Sequence, residues 1–425
     1  MPKTYRFLIM TIDPVHVGTG GMRLGRVDNT IVREPGTKLP KIPGTALHGA
    51  IRAYAARRYG KTQCAGQGQI EKSNHCGRPT CPICYTFGYS KGSKNSFSGV
   101  VSISDARILL FPVYSMVGPV WVSTFELLEE AGFTVNDKNG IPLDKNTKLQ
   151  KEEVYLTWDR TEKGTQQRTE GKAEENINSI NLGWFMLEVA GKVSVELPKN
   201  LKEKVGNDAV RTWESIKDRI VLVPDNLFSQ IVNSNLEVRT SIAINPETGA
   251  VEEGALFTYE AIPRATFLWF DVVVDDFRGS FPSKVVWDEF YKKIENASPP
   301  SEMPEDKTDS KDETEVEKVL RELGYIQERP KKEKKESDEE FAERKKKYWE
   351  KVHYSYKSLK EAMEKLDWKS PVEIVNLGLE WAEHLGIGGM GTRGFGRIKN
   401  LECWKVNEKV MVECKEENNE SSRKS

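Results

Sequence analysis

Apolar side chains run almost unbroken from Tyr5 to Ile12. The stretch is too short for a typical helix and rich in aromatic and branched residues, which predicts a buried strand ended by Pro14. From Ile42 to Tyr59 the period changes: Leu47, Ile51, Tyr54 and Ala55 recur at the spacing of one helical face, with Thr45 placed to cap the N-terminus. Strand character returns in 98–116, 181–195 and 265–274, and a short helix is expected within 121–131. Two alternating segments between Leu236 and Phe257 flank Asn245-Pro-Glu-Thr-Gly249, the pattern of a protruding hairpin. Further helices are expected from Tyr354 through Leu366 and from Val372 to Leu385. The polar stretches 137–151 and 157–171 read as excursions from the core.

Composition changes this picture in one segment above all. Residues 296–352 carry Pro299-Pro300 and the run Lys331-Lys-Glu-Lys-Lys-Glu336, a composition that predicts a charged, flexible insertion or an exposed helix. The segment 413–425 is polar and predicts a disordered tail. A length of 425 residues suits two or three domains, or one domain rich in insertions. The formal net charge of −1 excludes nonspecific binding of nucleic acid over the whole surface and leaves room for a locally basic face. No apolar run of membrane-spanning length and no apolar leader core follows the first basic residues, so no membrane partner and a cytoplasmic location are expected.

Four places hold candidate chemistry. The glycines from Gly18 to Gly21 permit close backbone approach to a ligand and lead to one carboxylate, Asp28, set among arginines. No Gly-Lys-Ser/Thr follows, so this is not a nucleotide P-loop. Asp28 can act on a ligand or cap its own loop. The helix beginning at Pro43-Gly44 offers amides for a phosphate, with His48, Arg52 and Arg58 elsewhere on its surface. Cys64, Cys76, Cys81 and Cys84 crowd one window, a spacing suited to a structural zinc site, with His75 as an alternative ligand and inert or redox-active thiols as the other reading. Finally, the glycine-rich stretch 386–396 surrounds Arg393 and Phe395 and precedes Arg397, an arrangement that can lay amides along phosphates while the phenylalanine packs or stacks.

Asp13-Pro-Val-His-Val-Gly-Thr-Gly20, Val27-Asp28-Asn29, the segment from Lys41 to Arg52, Cys84-Tyr-Thr-Phe-Gly88 and the loop from Gly386 to Gly396 carry, in order, a resemblance to the RAMP proteins of type III CRISPR effector complexes. The segment from Ser102 to Val113 is similar, more specifically, to the backbone subunit of the type III-B (Cmr) complex. The resemblance implies an α+β fold with a ferredoxin-like, RRM-related RAMP core in 1–295 and a thumb hairpin at 236–260, to which the cysteine window adds a zinc loop at 60–95. The core would resume in 353–412 with the glycine-rich loop. It implies copies of the chain stacked as a filament on CRISPR RNA beside other effector subunits, and cleavage of paired target RNA at regular intervals. Asp28 matches the catalytic aspartate, with a divalent cation, Mg or Mn, serving the cleavage. The residues expected to touch RNA are Lys41, His48, Arg52, Arg239, Gly388, Gly389, Arg393, Gly394 and Arg397. Four departures stand out: His48 occupies a position where RAMPs commonly carry lysine, the glycine-rich motif is closer to the type III-A pattern, and the charged insertion and the four-cysteine window enlarge the chain beyond a minimal backbone subunit. Rival expectations are a purely structural RNA-binding subunit and a stand-alone processing nuclease using His16 as acid or base.

Overall fold

The computed structural model describes residues 2–20, 27–66, 75–91, 95–143, 149, 152–158, 179–202, 208–298, 300, 313–333 and 336–406. Four strands and two helices form its centre. These are β1 (Lys3–Thr11), α1 (Gly44–Arg58), β2 (Ala106–Ser115), β3 (Phe267–Val274), α2 (Pro371–Leu385) and β4 (Ile398–Lys405). In space the strands lie in the order β4-β1-β3-β2, every neighbour antiparallel. The chain therefore runs strand, helix, strand, strand, helix, strand, with its first and third strands in the middle.

β1 reads as a continuous apolar run because both of its faces are covered. Phe7 and Ile9 point into the cluster that holds Leu47, Ile51 and Ala55 of α1 and Ile374, Val375 and Leu379 of α2. Leu8 points into a second cluster with Leu109, Trp269 and Trp404. Register is fixed by pairs such as Phe7 opposite Phe270, whose rings stack at 5.1 Å. The stripe on α1 is as expected, with Leu47, Ile51 and Ala55 fully buried. α1 and α2 touch at Gly378, where a Cβ would stand 2.3 Å from the Ile51 carbonyl oxygen, so only glycine permits this approach. Thr45 does not cap α1: the helix starts two residues earlier than that cap would set it, after Pro43, and receives no side-chain cap from its own N-cap residue.

Beyond β2 the sheet continues through Gly118–Ser123, Ile220–Leu222, Glu153–Leu156 and Phe185–Glu196 to Thr134–Asp137 and Pro142–Leu143. Among the described residues it has thirteen strands and is mostly antiparallel, the parallel pairs being Ile220–Leu222 with Gly118–Ser123 and Glu153–Leu156 with Phe185–Glu196. The expected short helix spans Phe125–Ala131, with Trp121 left in the preceding strand and the Thr124 hydroxyl accepting the Leu127 amide. The expected hairpin is present as Glu237–Ile244 paired with Val251–Ala261. Its turn is braced by the Asn245 side chain, which accepts the amides of Glu247 and Thr248.

The segment 296–352 departs from its expectation. It contributes the helix Glu315–Glu322 and the first half of the helix Asp338–Lys365, both opened by capping boxes. Val319, Leu320, Leu323, Tyr325, Trp349 and Val352 are buried in the main core. A buried Glu317 accepts from Arg329 at 2.6 Å and from the Tyr348 hydroxyl at 2.9 Å. A few apolar residues at helical spacing dock this segment, and the surrounding Lys and Glu residues dilute that signal in the composition. The expected tail at 413–425 lies outside the described residues. Among the described residues no helix is long and apolar enough to cross a membrane.

Candidate nucleic-acid interface and cysteine centre

The segment around Asp28 is built onto the hairpin. Asn29 bridges Tyr259, its amide donating to the Thr258 carbonyl at 3.0 Å and its carbonyl accepting the Glu260 amide at 3.0 Å. Gly18 bridges Ile31 on the other side, which joins the first glycine-rich loop to the same small sheet. Asp28 Oδ2 accepts from the Thr258 amide at 2.8 Å and from the Thr258 hydroxyl at 2.7 Å, while the Asp28 amide donates back to that hydroxyl at 2.9 Å. The backbone bond from Thr258, and then its hydroxyl, hold the carboxyl below the ordinary aspartate range. Among the described residues Oδ1 makes no hydrogen bond. Residues 21–26, which complete this loop, lie outside the described residues.

Tyr259 is where three segments meet. It pairs with Arg239 across the hairpin, bridges Asn29, and receives the His16 ring edge-on at 5.6 Å. His16 is buried, and its Nδ1 lies 2.6 Å from the Glu260 carbonyl. That burial removes the geometric support for His16 as an acid or base. The His16 carbonyl accepts the Gly389 amide at 2.9 Å, and a Cβ on Gly388 (φ +88°) would stand 2.4 Å from the same oxygen. Gly396 donates to the Pro14 carbonyl at 2.8 Å. The amides of Gly389 and Gly396 are thus spent on seating the loop. What the loop presents outward is side chains: Arg393 donates to Ser241 at 3.1 Å, and Arg239 lies 5.0 Å over the ring of a buried Phe395 and 3.5 Å from the Gly394 carbonyl. Phe395 packs rather than offering a stacking face. Arg397 grips Asp13 through two bonds, at 2.5 and 3.1 Å, which lower the Asp13 pKa.

At the start of α1 the seat imagined for a phosphate is filled. Asp105 accepts the Gly44 amide at 2.7 Å and pairs with Lys41 at 2.5 Å; Lys41 also pairs with Glu34 at 2.8 Å. Asp105 first, and then Glu34, raise the Lys41 pKa. His48 is half-buried with its ring edge-on to Phe87 at 5.2 Å; burial, then the nearby Arg52 charge, push its pKa down, so it is neutral at pH 7. Arg52 requires a correction, because it is 6% exposed and faces inward. Its guanidinium donates to the carbonyls of Cys64 at 2.8 Å and Phe87 at 3.3 Å and lies 3.3 Å from His75 Nε2. Arg52 belongs to the cysteine centre and not to the surface.

The four sulfurs of Cys64, Cys76, Cys81 and Cys84 lie within 4.8 Å of one another. Cys76 and Cys84 are 3.7 Å apart, and Cys64 and Cys81 are 3.9 Å apart. Four thiolates at Zn–S distances of about 2.3 Å in a tetrahedron are separated by about 3.8 Å, so the donor set fits a zinc ion. His75 is outside the group: its Nε2 meets the Ala65 carbonyl at 3.1 Å. Beneath the thiols Lys61 is fully buried, donating to the Leu323 carbonyl at 2.5 Å with its ammonium 4.5 Å over the Tyr325 ring. Burial alone would lower its pKa, yet the neighbouring thiols raise it, so it stays charged.

Sequence reasoning missed Thr258, Glu260, Asp13, Asp105 and Lys61 as members of these sites. Lys61 stands three residues before Cys64, and Asp13 and Asp105 lie within the resembling motifs, but none of these positions showed its partner. The partners meet across the fold: Thr258 is 230 residues from Asp28, and Arg397 is 384 from Asp13.

A profile of the RAMP superfamily matches residues 8–297, and the chain belongs to that superfamily. Within it, the Cmr endoribonuclease Cmr4 of Pyrococcus furiosus is 28% identical over 282 residues, covering 64% of this chain and 82% of that protein. The endoribonuclease Csm3 of Mycobacterium tuberculosis is 40% identical over 52 residues, 12% of this chain and 22% of that one. Among solved structures, a chain of the apo type III-B Cmr-beta assembly gives a TM-score of 0.42 at 15% identity, covering 64% of this chain and 85% of that chain. Oligomeric Cmr4 from Pyrococcus furiosus gives 0.35 at 19% identity, covering 69% and 89%.

Proposed function

We propose that this chain is a backbone subunit of a type III CRISPR effector complex. It binds CRISPR RNA alongside copies of itself and other effector subunits, and cuts guide-paired target RNA at regular intervals through Asp28. The observation that carries the reading is the placing of Asp28: a half-buried, ionised carboxylate beside a projecting hairpin, tied to it through one oxygen only. Membership of the RAMP superfamily and the endoribonuclease names of Cmr4 and Csm3 support it. The β4-β1-β3-β2 arrangement supports a ferredoxin-like, RRM-related core, with the hairpin as the thumb.

In this reading the thumb intrudes between guide and target and unstacks a nucleotide, so that its 2′-hydroxyl aligns with the adjacent phosphate. Guide pairing supplies sequence selectivity, and the protein grips backbone shape. Arg239, Arg393 and Arg397 contribute positive charge at the hairpin and the glycine-rich loop, and Lys41 and His48, at the start of α1, are the other proposed RNA contacts. Because the Thr258 bonds lower the Asp28 pKa, the carboxylate is a poor proton acceptor near neutral pH and a good oxygen ligand for a cation. Mg or Mn, held by the second Asp28 oxygen together with substrate phosphates, would neutralise charge developing at the scissile phosphate. The cysteine group is a structural zinc site formed by Cys64, Cys76, Cys81 and Cys84.

The three bonds between Asp28 and Thr258 also suit a structural aspartate in a non-catalytic RNA-binding subunit. The test is Asp28→Ala in the assembled complex with a labelled target. Loss of the regularly spaced cuts with target binding intact is the expected result. Undiminished cutting would remove the catalytic role.

A further inference from the structure

A cleft of 630 Å³ lies between the end of α1 and the helix Asp338–Lys365, far along α1 from Lys41 and the hairpin. Arg57, Thr62 and Gln63 line one wall, and Lys351, Tyr354 and Ser355 line the other. The two walls are clamped where Ser358 packs on Gly60. Among the described residues no carboxylate lines this cleft.

The charges set it apart from the other hollows of the surface. The cleft bordered by Lys41 and Arg107 has both cations paired, with Asp105 and Glu34 and with Glu130, and four carboxylates in its lining. The hollow at Arg344 and Lys347 is likewise lined by glutamates that pair with both. Among the described residues Arg57 and Lys351 have no ion pair, although the helix bearing Lys351 is rich in acids on both sides of it. A basic residue in the last turn of α1 complements the helix C-terminus, which accounts for Arg57. It does not account for Lys351, which sits in mid-helix. Beside it Tyr354 stands 57% exposed, an aromatic face turned to solvent.

We propose that this cleft binds a nucleotide, its phosphate between Arg57 and Lys351 and its base against Tyr354. Two cations that share one cleft with no carboxylate in its lining select an anion, and a phosphate can meet both; Arg57, whose guanidinium lies 5.8 Å over the Tyr54 ring, keeps its donors free for one. The volume exceeds what a lone phosphate needs and suits a mononucleotide. Thr62 and Gln63 offer polar groups beside the anion. The nucleotide is either free in solution or one unit of a single-stranded RNA, and the proposal does not depend on cleavage at Asp28.

The test uses the full chain and the double variant Arg57→Gln/Lys351→Gln, with unchanged thermal unfolding confirming the fold. AMP binding is measured by calorimetry, and a labelled single-stranded RNA is titrated over a range of salt. A free-nucleotide site shows AMP binding that weakens roughly tenfold or more in the variant. A strand site shows no AMP binding, weaker RNA binding, and a salt slope lower by about 0.7 for each phosphate no longer neutralised. Tyr354→Ala should weaken either ligand without changing the salt slope. No AMP binding together with RNA affinity and salt slope equal to those of the parent chain overturns the proposal.

Discussion

The cysteine centre and the Asp28 loop are both small polar sites, and they are built in opposite ways. The first is closed: four thiols face one another, with buried Arg52 and Lys61 beside them, and every donor comes from this chain. The second is open: one half-buried carboxylate with one oxygen committed to Thr258 and, among the described residues, no hydrogen bond on the other. A site whose donors are complete has its work in holding the fold together, whereas a site with one donor is completed by what binds there. On the reading proposed above, the first site serves stability and the second serves chemistry.

The comparison breaks most visibly at the thiols. Cys81→Ser/Cys84→Ser should release about one zinc per chain from protein purified anaerobically and unfold the segment around it, since such ions supply on the order of 10 kcal/mol to small metal-held folds. Metal analysis and thermal unfolding read both effects, and a parent chain without zinc would refute the assignment. Asp28→Ala should do the reverse, cutting the cleavage rate by about 10²-fold or more, as loss of several kcal/mol of metal-borne charge stabilisation implies, with unfolding temperature nearly unchanged. Next, the two arginines taken at first as equals should part company. Arg52→Ala leaves buried carbonyls unpaired and should destabilise the fold by about 3 kcal/mol in denaturant unfolding. Arg393→Ala should leave stability within about 0.5 kcal/mol and instead reduce the salt dependence of RNA binding.

The smallest effect sharpens the open site alone. Thr258 depresses the Asp28 pKa, so the carboxylate is ionised above its folded pKa and is protonated only as pH falls through it. Cleavage by the parent complex should therefore show no acid limb from Asp28 above about pH 4. Thr258→Val removes the hydroxyl bond and should move that limb upward. An unmoved pH profile would show that Thr258 does not tune the carboxylate.

Legibility followed sequence distance. The apolar run of β1, the stripe of α1 and the hairpin around Asn245 were all readable because each is a local period or turn. The cysteine group was readable because its ligands lie within 21 positions, Cys64 to Cys84, although the spacing alone did not separate His75 from the thiols. Arg52 was misread because a charge on a helix says nothing of which face the rest of the fold covers. The capping of α1 by Asp105 was hidden for a different reason: the acid is 61 residues from the amide it satisfies. In 296–352 the abundant Lys and Glu masked a thin apolar edge that docks two helices.

β1 has one further consequence, for the order of events during synthesis. Both of its edges are unpaired until β3 and β4 arrive, more than 250 positions later. The segment carrying Asp13 and His16 likewise waits for Gly389, Gly396 and Arg397. A nascent chain halted before residue 386 therefore has α1 and its cysteines but no seated loop beside the hairpin, and its exposed strand edges favour aggregation. Closure of β4 onto β1 thus covers a strand edge that every earlier part of this sequence leaves bare.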